Sequence, residues 1–283
     1  MFRSPKICWL AACLLALAGC APPEAVREFT AVAKDAAIEF PPLVKDLAES
    51  CIRRQLASRP VGEIADVDEQ AGAACKSLSD LEPQLLATLR VLTNYLNALN
   101  ELASDEIVTY DKQIDSLASN MQSVGAFQVS QVKAAGGLAK FLADAATSGY
   151  QRKKLAEALK AADVHIGVLC DGLGKIIRED YTRVLENEEN ALRSRYRDAI
   201  QADPAKNSAV ALVLQEYWRR DLQILNQKRA AARDFEEILV KIRDGHKVLA
   251  AQASHWNTSE VIRTIAPYTG SIQSLIGDYR KAF

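Results

Sequence analysis

Apolar residues step along most of this chain by alternating threes and fours, and proline is nearly absent from the same stretch. From Leu85 the row runs Leu89, Leu92, Leu96, Leu99, Ala103, Ile107, Tyr110, Ile114, Leu117, Met121 and Val124, and after Pro83 only Pro204 and Pro267 occur. Such a row stays on one side of an α-helix but falls on both faces of a strand, so it predicts helices that bury one stripe against their neighbours. Two consecutive fours, Leu99 to Ala103 to Ile107, interrupt the repeat as a stutter does. One helix running through the stutter and a helix–helix corner at 103–106, with Ser104 capping the second helix, both satisfy the pattern.

Proline, glycine and capping residues divide the rest. Short helices are predicted over 23–77: Pro23 to Phe40, a restart at Pro41 and Pro42 leading to about Ala57, a turn around Pro60 and Gly62, then Asp66 to Lys76. Ser79 with Glu82 three residues on has the form of a capping box with Pro83 in the first turn, so a long helix is predicted over about 80–124. A short Ala-rich helix follows at 127–146. A long helix at 150–202 carries the seam Leu155, Leu159, Ala162, Ile166, Leu169, Leu173 and Ile176, which then moves by one position to Ile177, Tyr181 and Val184.

After a turn at 203–207, a second long helix at 207–255 carries Val210, Leu214, Tyr217, Ile224, Ala231, Phe235, Ile238, Ile242 and Leu249, and a short helix at 258–281 contains Pro267. Two helices of about 50 residues around one turn predict an antiparallel pair roughly 75 Å long. Centring the turn on Pro204 sets Glu188 against Arg220, Glu189 against Arg219, Glu179 against Arg229 and Asp180 against Lys228; it also sets Asp171 against Glu237, a mismatch. The expected fold is all-α: one elongated, antiparallel, coiled-coil-like helical bundle over residues 20–283.

The N-terminus reads differently. Arg3 and Lys6 precede an apolar run from Ile7 to Ala18, too short for a stable membrane span and of the form of a secretory signal. Leu17-Ala18-Gly19-Cys20 resembles the lipobox of bacterial lipoproteins, a likeness confined to this export signal; no functional family is recognised for the rest. The resemblance implies removal of residues 1–19 and acylation of Cys20, which would hold the protein on a membrane. Ala21 stands where lipoproteins kept in the inner membrane of many Gram-negative bacteria carry Asp, which implies the outer membrane, facing the periplasm. An ordinary secretory signal cut near Ala18 or Ala21 is the other reading of the same residues.

Losing Arg3 and Lys6 leaves 33 of the 35 Lys and Arg against 36 Asp and Glu, interspersed in sign, which gives no footprint for nucleic acid and no polybasic or acidic tail. An oxidising envelope permits disulfides, and Cys51 and Cys75 fall near the facing ends of two helices joined by a turn, so they are expected to pair. Cys170, among Ile166, Leu169 and Leu173, is expected to be a small buried hydrophobe.

Chemical motifs are sparse. Ser130 and Lys133 match S-x-x-K without its companion motifs. Asp66, Asp68 and Glu69 begin like a calcium loop, but Ala71 and Ser77 stand where it needs Gly and Glu; they suit the positive end of a helix instead. None of His165, His246 and His255 belongs to a metal-binding pattern; His165 is read as flanking the seam, the other two as exposed. Gly167, Gly172 and Gly174 fall within a helix, where they permit close packing or a kink. No catalytic residue, metal site or cofactor is expected.

Two features read as partner surfaces. Near the tip of the long hairpin, Tyr196, Tyr217, Trp218, Arg219 and Arg220 are residue types concentrated at interface hot spots, although the favoured reading of the pattern has Tyr196 and Tyr217 filling the seam with Trp218 beside it. The stretch from Val132 to Ala146 is apolar enough to enter a membrane or a partner groove, although Lys133, Lys140 and Asp144 favour a helix packed on a neighbour. The expected function is a lipid-anchored, non-enzymatic helical scaffold, tether or assembly accessory for an envelope protein partner. A periplasmic ligand-binding bundle and a membrane-perturbing helical protein are the rivals.

Overall fold

The computed structural model describes residues 23–59, 66–104, 106, 108, 128–147, 155–202, 209–253 and 259–281. The signal segment, Cys20, the seam positions Ile107 and Tyr110 to Val124, the 203–207 turn and His255 lie outside the described residues. Every regular element among the described residues is helical: α1 Glu24–Ile38, α2 Pro41–Ala57, α3 Val67–Ala74, α4 Lys76–Ala103, α5 Val129–Thr147, α6 Leu155–Ile176, α7 Thr182–Ala202, α8 Ala209–Ala251 and α9 Ser259–Tyr279. A π turn, Ile177–Tyr181, joins α6 to α7 without ending the helix. It sits where the apolar seam moves by one position, because a π turn accommodates one extra residue and carries the stripe back to the core face.

The restart at Pro41 and Pro42 forms as expected, with proline in the first turn of α2, where its missing N–H costs little. The capping box does not form. α4 begins at Lys76, the Ser79 hydroxyl turns back to the Cys75 carbonyl, and Pro83 lies inside the helix. Cys75 is bonded to Cys51, Cα to Cα 5.9 Å, so a covalent tie and the burial of Leu81 set the helix start instead of the local capping signal. At its other end α4 stops at Ala103, where the Ser104 N–H reaches the carbonyls of Asn100 and Glu101 and that of Glu106 reaches Glu101. The stutter therefore breaks the helix, correcting the reading of one helix over 80–124; Ser104 closes α4.

Successive contacts place α1 and α2 antiparallel to α8. Phe29 meets Gly245, the Phe40 and Phe235 rings touch with centroids 3.8 Å apart, Lys228 reaches Asp46, and Ile224 shares a cleft with Leu56. A Cβ at Gly245 would overlap the Phe29 ring, so only glycine lets these two helices come this close. α9 returns along α8 and α1, α4 lies on α1 and α2, and α5 packs on α6 and α4. One cluster of buried apolar side chains runs from Ala25 to Tyr279.

α6 and α7 run antiparallel to α8, but not in the register that exposed charges implied. Glu189 takes Arg229 in place of Arg219, Arg178 takes Glu236, and Asp171 takes Arg243 in place of clashing with Glu237. Glu188 and Lys228 turn instead toward α2. Exposed ion pairs are worth too little to fix a register against the packing of Phe235, Ile238 and Ile242.

Candidate functional site

Asp46, Ser50 and Arg53 lie one turn apart on α2 and are answered from two other helices. The Asp46 carboxylate accepts from Tyr181 Oη at 2.6 Å, Lys228 Nζ at 2.6 Å and Arg53 Nη2 at 2.8 Å. Glu188 accepts from Ser50 Oγ at 2.5 Å and Arg53 Nε at 2.6 Å. Asp46, Ser50 and Glu188 are buried. Two carboxylates and two cations make the cluster neutral, which is the condition under which buried charge is tolerated. Burial works against the Arg53 charge, but the hydrogen bond to Glu188 and the charge of Asp46 outweigh it and hold the guanidinium above its ordinary value. Burial, then the charge of Asp46, pushes the Tyr181 hydroxyl up. The π turn matters here, since Tyr181 is its last residue.

This cluster fastens α2 into the groove between α7 and α8, and α2 ends at Ala57, where Arg195 Nη1 donates to the Leu56 carbonyl at 3.2 Å. Beyond that point the groove is uncovered among the described residues. In α7 nothing after Glu188 is fully buried, and in α8 Ala211 is the sole buried residue before Leu225. Val210, Val213, Tyr217 and Ile224 are 60%, 49%, 44% and 43% exposed, and their spacing puts them on one stripe of α8. The stripe continues the line of Lys228, the residue that receives α2.

The sequence-predicted tip residues are thus brought to one end of the molecule but divided between its faces. Tyr217 does not fill the seam: it is exposed, with the Arg220 guanidinium 4.9 Å from its ring centre. Tyr196 donates to Asp221 Oδ2 at 2.6 Å, and its hydroxyl is pushed up to about 12 by burial and by that bond. Trp218 lies 6.1 Å from the Tyr196 ring with the Arg193 guanidinium 5.9 Å away, beside a cleft of about 330 Å³. Arg219 is exposed and reaches Glu216.

No family model, curated protein or solved structure matches the chain. The site is therefore read from its own chemistry.

A second polar group lies at the other end of α8 and corrects a sequence expectation. His246 is fully buried: its Nε2 is 2.7 Å from Tyr95 Oη and its Nδ1 is 2.9 Å from Asp163 Oδ1. A carboxylate only accepts, so it fixes the proton on Nδ1 and leaves Nε2 to accept from the tyrosine. Burial, then the charge of Asp163, pushes the Tyr95 hydroxyl well up. An Asp–His–Tyr row has the order of an acid–base relay, but neither Tyr95 nor His246 presents surface to a substrate, and here it ties α4, α6 and α8 together. The signal was present in sequence: between Ile242 and Leu249 a seam residue must fall at 245 or 246.

Gly137 and Gly172 let side chains from neighbouring helices approach, His165 on the first and Gln131 on the second. The stretch from Val132 to Ala146 is packed, with Ala135, Leu138 and Leu142 wholly buried, and no helix among the described residues is long and apolar enough to cross a membrane. Cys170 is free and buried, its thiol pushed up by burial and then by Asp171.

Proposed function

We propose that the chain is a lipid-anchored envelope lipoprotein, held through Cys20, that acts as a non-enzymatic helical tether or scaffold and meets a protein partner at the free end of the α7/α8 hairpin. The observation that carries this reading is the exposed row Val210, Val213, Tyr217 and Ile224 at the end of α8 away from where α1 begins. Phe29, near the start of α1, lies at the level of Gly245, so roughly 50 Å of helix separates the anchored end from Val210. A membrane tether at one end and an apolar, aromatic and arginine-rich surface at the other suits a protein that bridges a distance. Contiguous exposed apolar surface of this kind is costly unless something uses it.

The test is crosslinking and affinity capture of the native lipoprotein from its own membranes, comparing the unaltered chain with Tyr217→Asp and Val213→Asp. A partner recovered with the first and lost with the two variants supports the reading. A protein partner retained by both, or a co-purifying small molecule in place of any protein, overturns it.

A further inference from the structure

We propose that the cleft beside Trp218 is a binding site for a small aromatic acid, a flat apolar ring system carrying one carboxylate. This goes beyond the tether reading and concerns a different face of α8 from the one that carries Val213 and Tyr217.

On α7, Arg193, Tyr196, Arg197, Ile200 and Gln201 recur at the spacing of one helical stripe, and on α8 Gln215 and Trp218 stand one turn apart; together they line a cleft of about 330 Å³. That volume is at the lower end of small-molecule sites and suits one or two fused rings. Ile200 gives it apolar surface. The Tyr196 and Trp218 rings, 6.1 Å apart and tilted by 56°, do not stack face to face, which leaves ring surface for a third ring. Tyr196 is held from behind, its hydroxyl donating at 2.6 Å to Asp221, a residue that lines the cleft on the α2 side. This wall is therefore set before a ligand arrives, which lowers the cost of binding.

Charge sets the sign of the ligand. The lining holds two guanidinium groups, two amides and no carboxylate. Each carboxylate that borders it already has a cation. Glu189 takes Arg193 and also Arg229, Asp198 takes Arg197 and lines the cleft on the other side of α7, Glu216 takes Arg219, and Asp221 has the Arg220 guanidinium 3.9 Å away. Those five arginines against four carboxylates leave a surplus of one positive charge. Arg193 commits Nη2 to Glu189 and Arg197 commits Nε to Asp198, so other nitrogens of both groups, one turn apart on α7, are left for an oxygen acid. Because Arg193 lies 5.9 Å from the centre of the Trp218 ring, an acid that reaches it brings its own ring alongside the indole. A basic ligand would meet two guanidinium groups, and an aliphatic acid would leave both rings without a stacking partner. For a ligand of about 13 heavy atoms in an open cleft the dissociation constant is on the order of 100 μM.

The test titrates 2-naphthoate into the full chain in a nonionic detergent, read by isothermal calorimetry against the detergent alone. The expected result is one saturable site that weakens about tenfold with Arg193→Gln plus Arg197→Gln and about fivefold with Trp218→Leu, and that takes the neutral isostere 2-naphthamide about tenfold more weakly. Removing the same charge elsewhere, with Arg178→Gln plus Arg183→Gln, should leave binding unchanged. None of these side chains is buried, and circular dichroism checks that the variants keep their helix content. No binding, equal binding of the amide, or equal weakening by the Arg178 and Arg183 pair overturns the proposal. Octanoate binding as tightly as naphthoate overturns it too, because the rings then contribute nothing. So does loss of a captured protein partner with Arg193→Gln plus Arg197→Gln in a chain that binds no naphthoate, which assigns the cleft to the protein contact.

Discussion

Lys228 of α8 donates to the Asp46 carboxylate of α2 at 2.6 Å, a contact between residues 182 apart in sequence and almost out of solvent. It holds α2 in the only stretch of the α7/α8 groove that a described helix covers, and through α2 it sets where the uncovered stretch begins.

Asp46→Ala should therefore cost more than the loss of a surface ion pair. It strands Lys228, Tyr181 and part of Arg53 without their acceptor, and removing one partner of a buried pair costs about 3–5 kcal/mol. Urea unfolding followed by circular dichroism measures it. A loss below about 1 kcal/mol would mean that water replaces the carboxylate freely.

At the crossing of α1 and α8, Gly245→Ala should destabilise the fold by about 1–3 kcal/mol because its methyl would enter the Phe29 ring. Shrinking the ring should relieve this. The double variant Gly245→Ala with Phe29→Leu is expected to lose less than the two single losses added together, and strict additivity would show that the two positions do not touch.

The Cys51–Cys75 bond closes a loop with a sequence separation of 24, for which chain entropy gives about 3 kcal/mol. Reducing agent, or Cys51→Ser together with Cys75→Ser, should lower the denaturation midpoint accordingly. In the native oxidised protein Cys170 should resist alkylation until the chain unfolds, because its thiol is buried and pushed up. Mass spectrometry of non-reduced peptides reads both; a Cys51 peptide linked to Cys170 would contradict the pairing.

Tyr196 gives a pH signature at the hairpin end. Its hydroxyl is raised from 10.0 to about 12 by burial and by the bond to Asp221, so the neutral form is the one the fold favours. A raised value contributes stability that is complete below 10 and is lost as pH climbs toward 12. Tyr95 and Tyr181 are raised as well, so Tyr196 is read from the difference between the tyrosinate titrations of the unaltered chain and Tyr196→Phe: the missing group should be a late one, and Asp221→Asn should move it down. An unchanged titration in that variant would remove Asp221 as a cause.

Tyr95→Phe keeps the ring but removes the donor to His246 Nε2, leaving a buried acceptor unanswered. The expected loss is about 1–3 kcal/mol, measured by thermal or chemical unfolding. No loss at all would argue that the imidazole turns to another partner.

Much of the helical framework is legible from spacing alone, because a helix displays its buried stripe in its own residues. Leu155 through Ile176 mark α6, Pro41 and Pro42 mark the start of α2, and the one-position slip at Ile177 marks the π turn. The cluster at Asp46 was not legible. Asp46, Ser50 and Arg53 sit beside the apolar row of α2 and look like a solvated face until Glu188, Tyr181 and Lys228 are brought against them. His246 was misread for a related cause: its residue type suggested exposure, while its place between Ile242 and Leu249 required burial.

By itself, then, the sequence determined that the described chain is helical, roughly where its helices lie and which cysteines face one another. All of these follow from neighbours within a turn or a short loop. Only the tertiary structure decided where α4 begins and ends, which register α6 and α7 adopt on α8, which charges are buried, and that α2 stops short and leaves Tyr217 and Val213 uncovered. Those outcomes depend on side chains from 24 to 182 residues apart in sequence competing for the same space, and no local period in the chain records which of them wins.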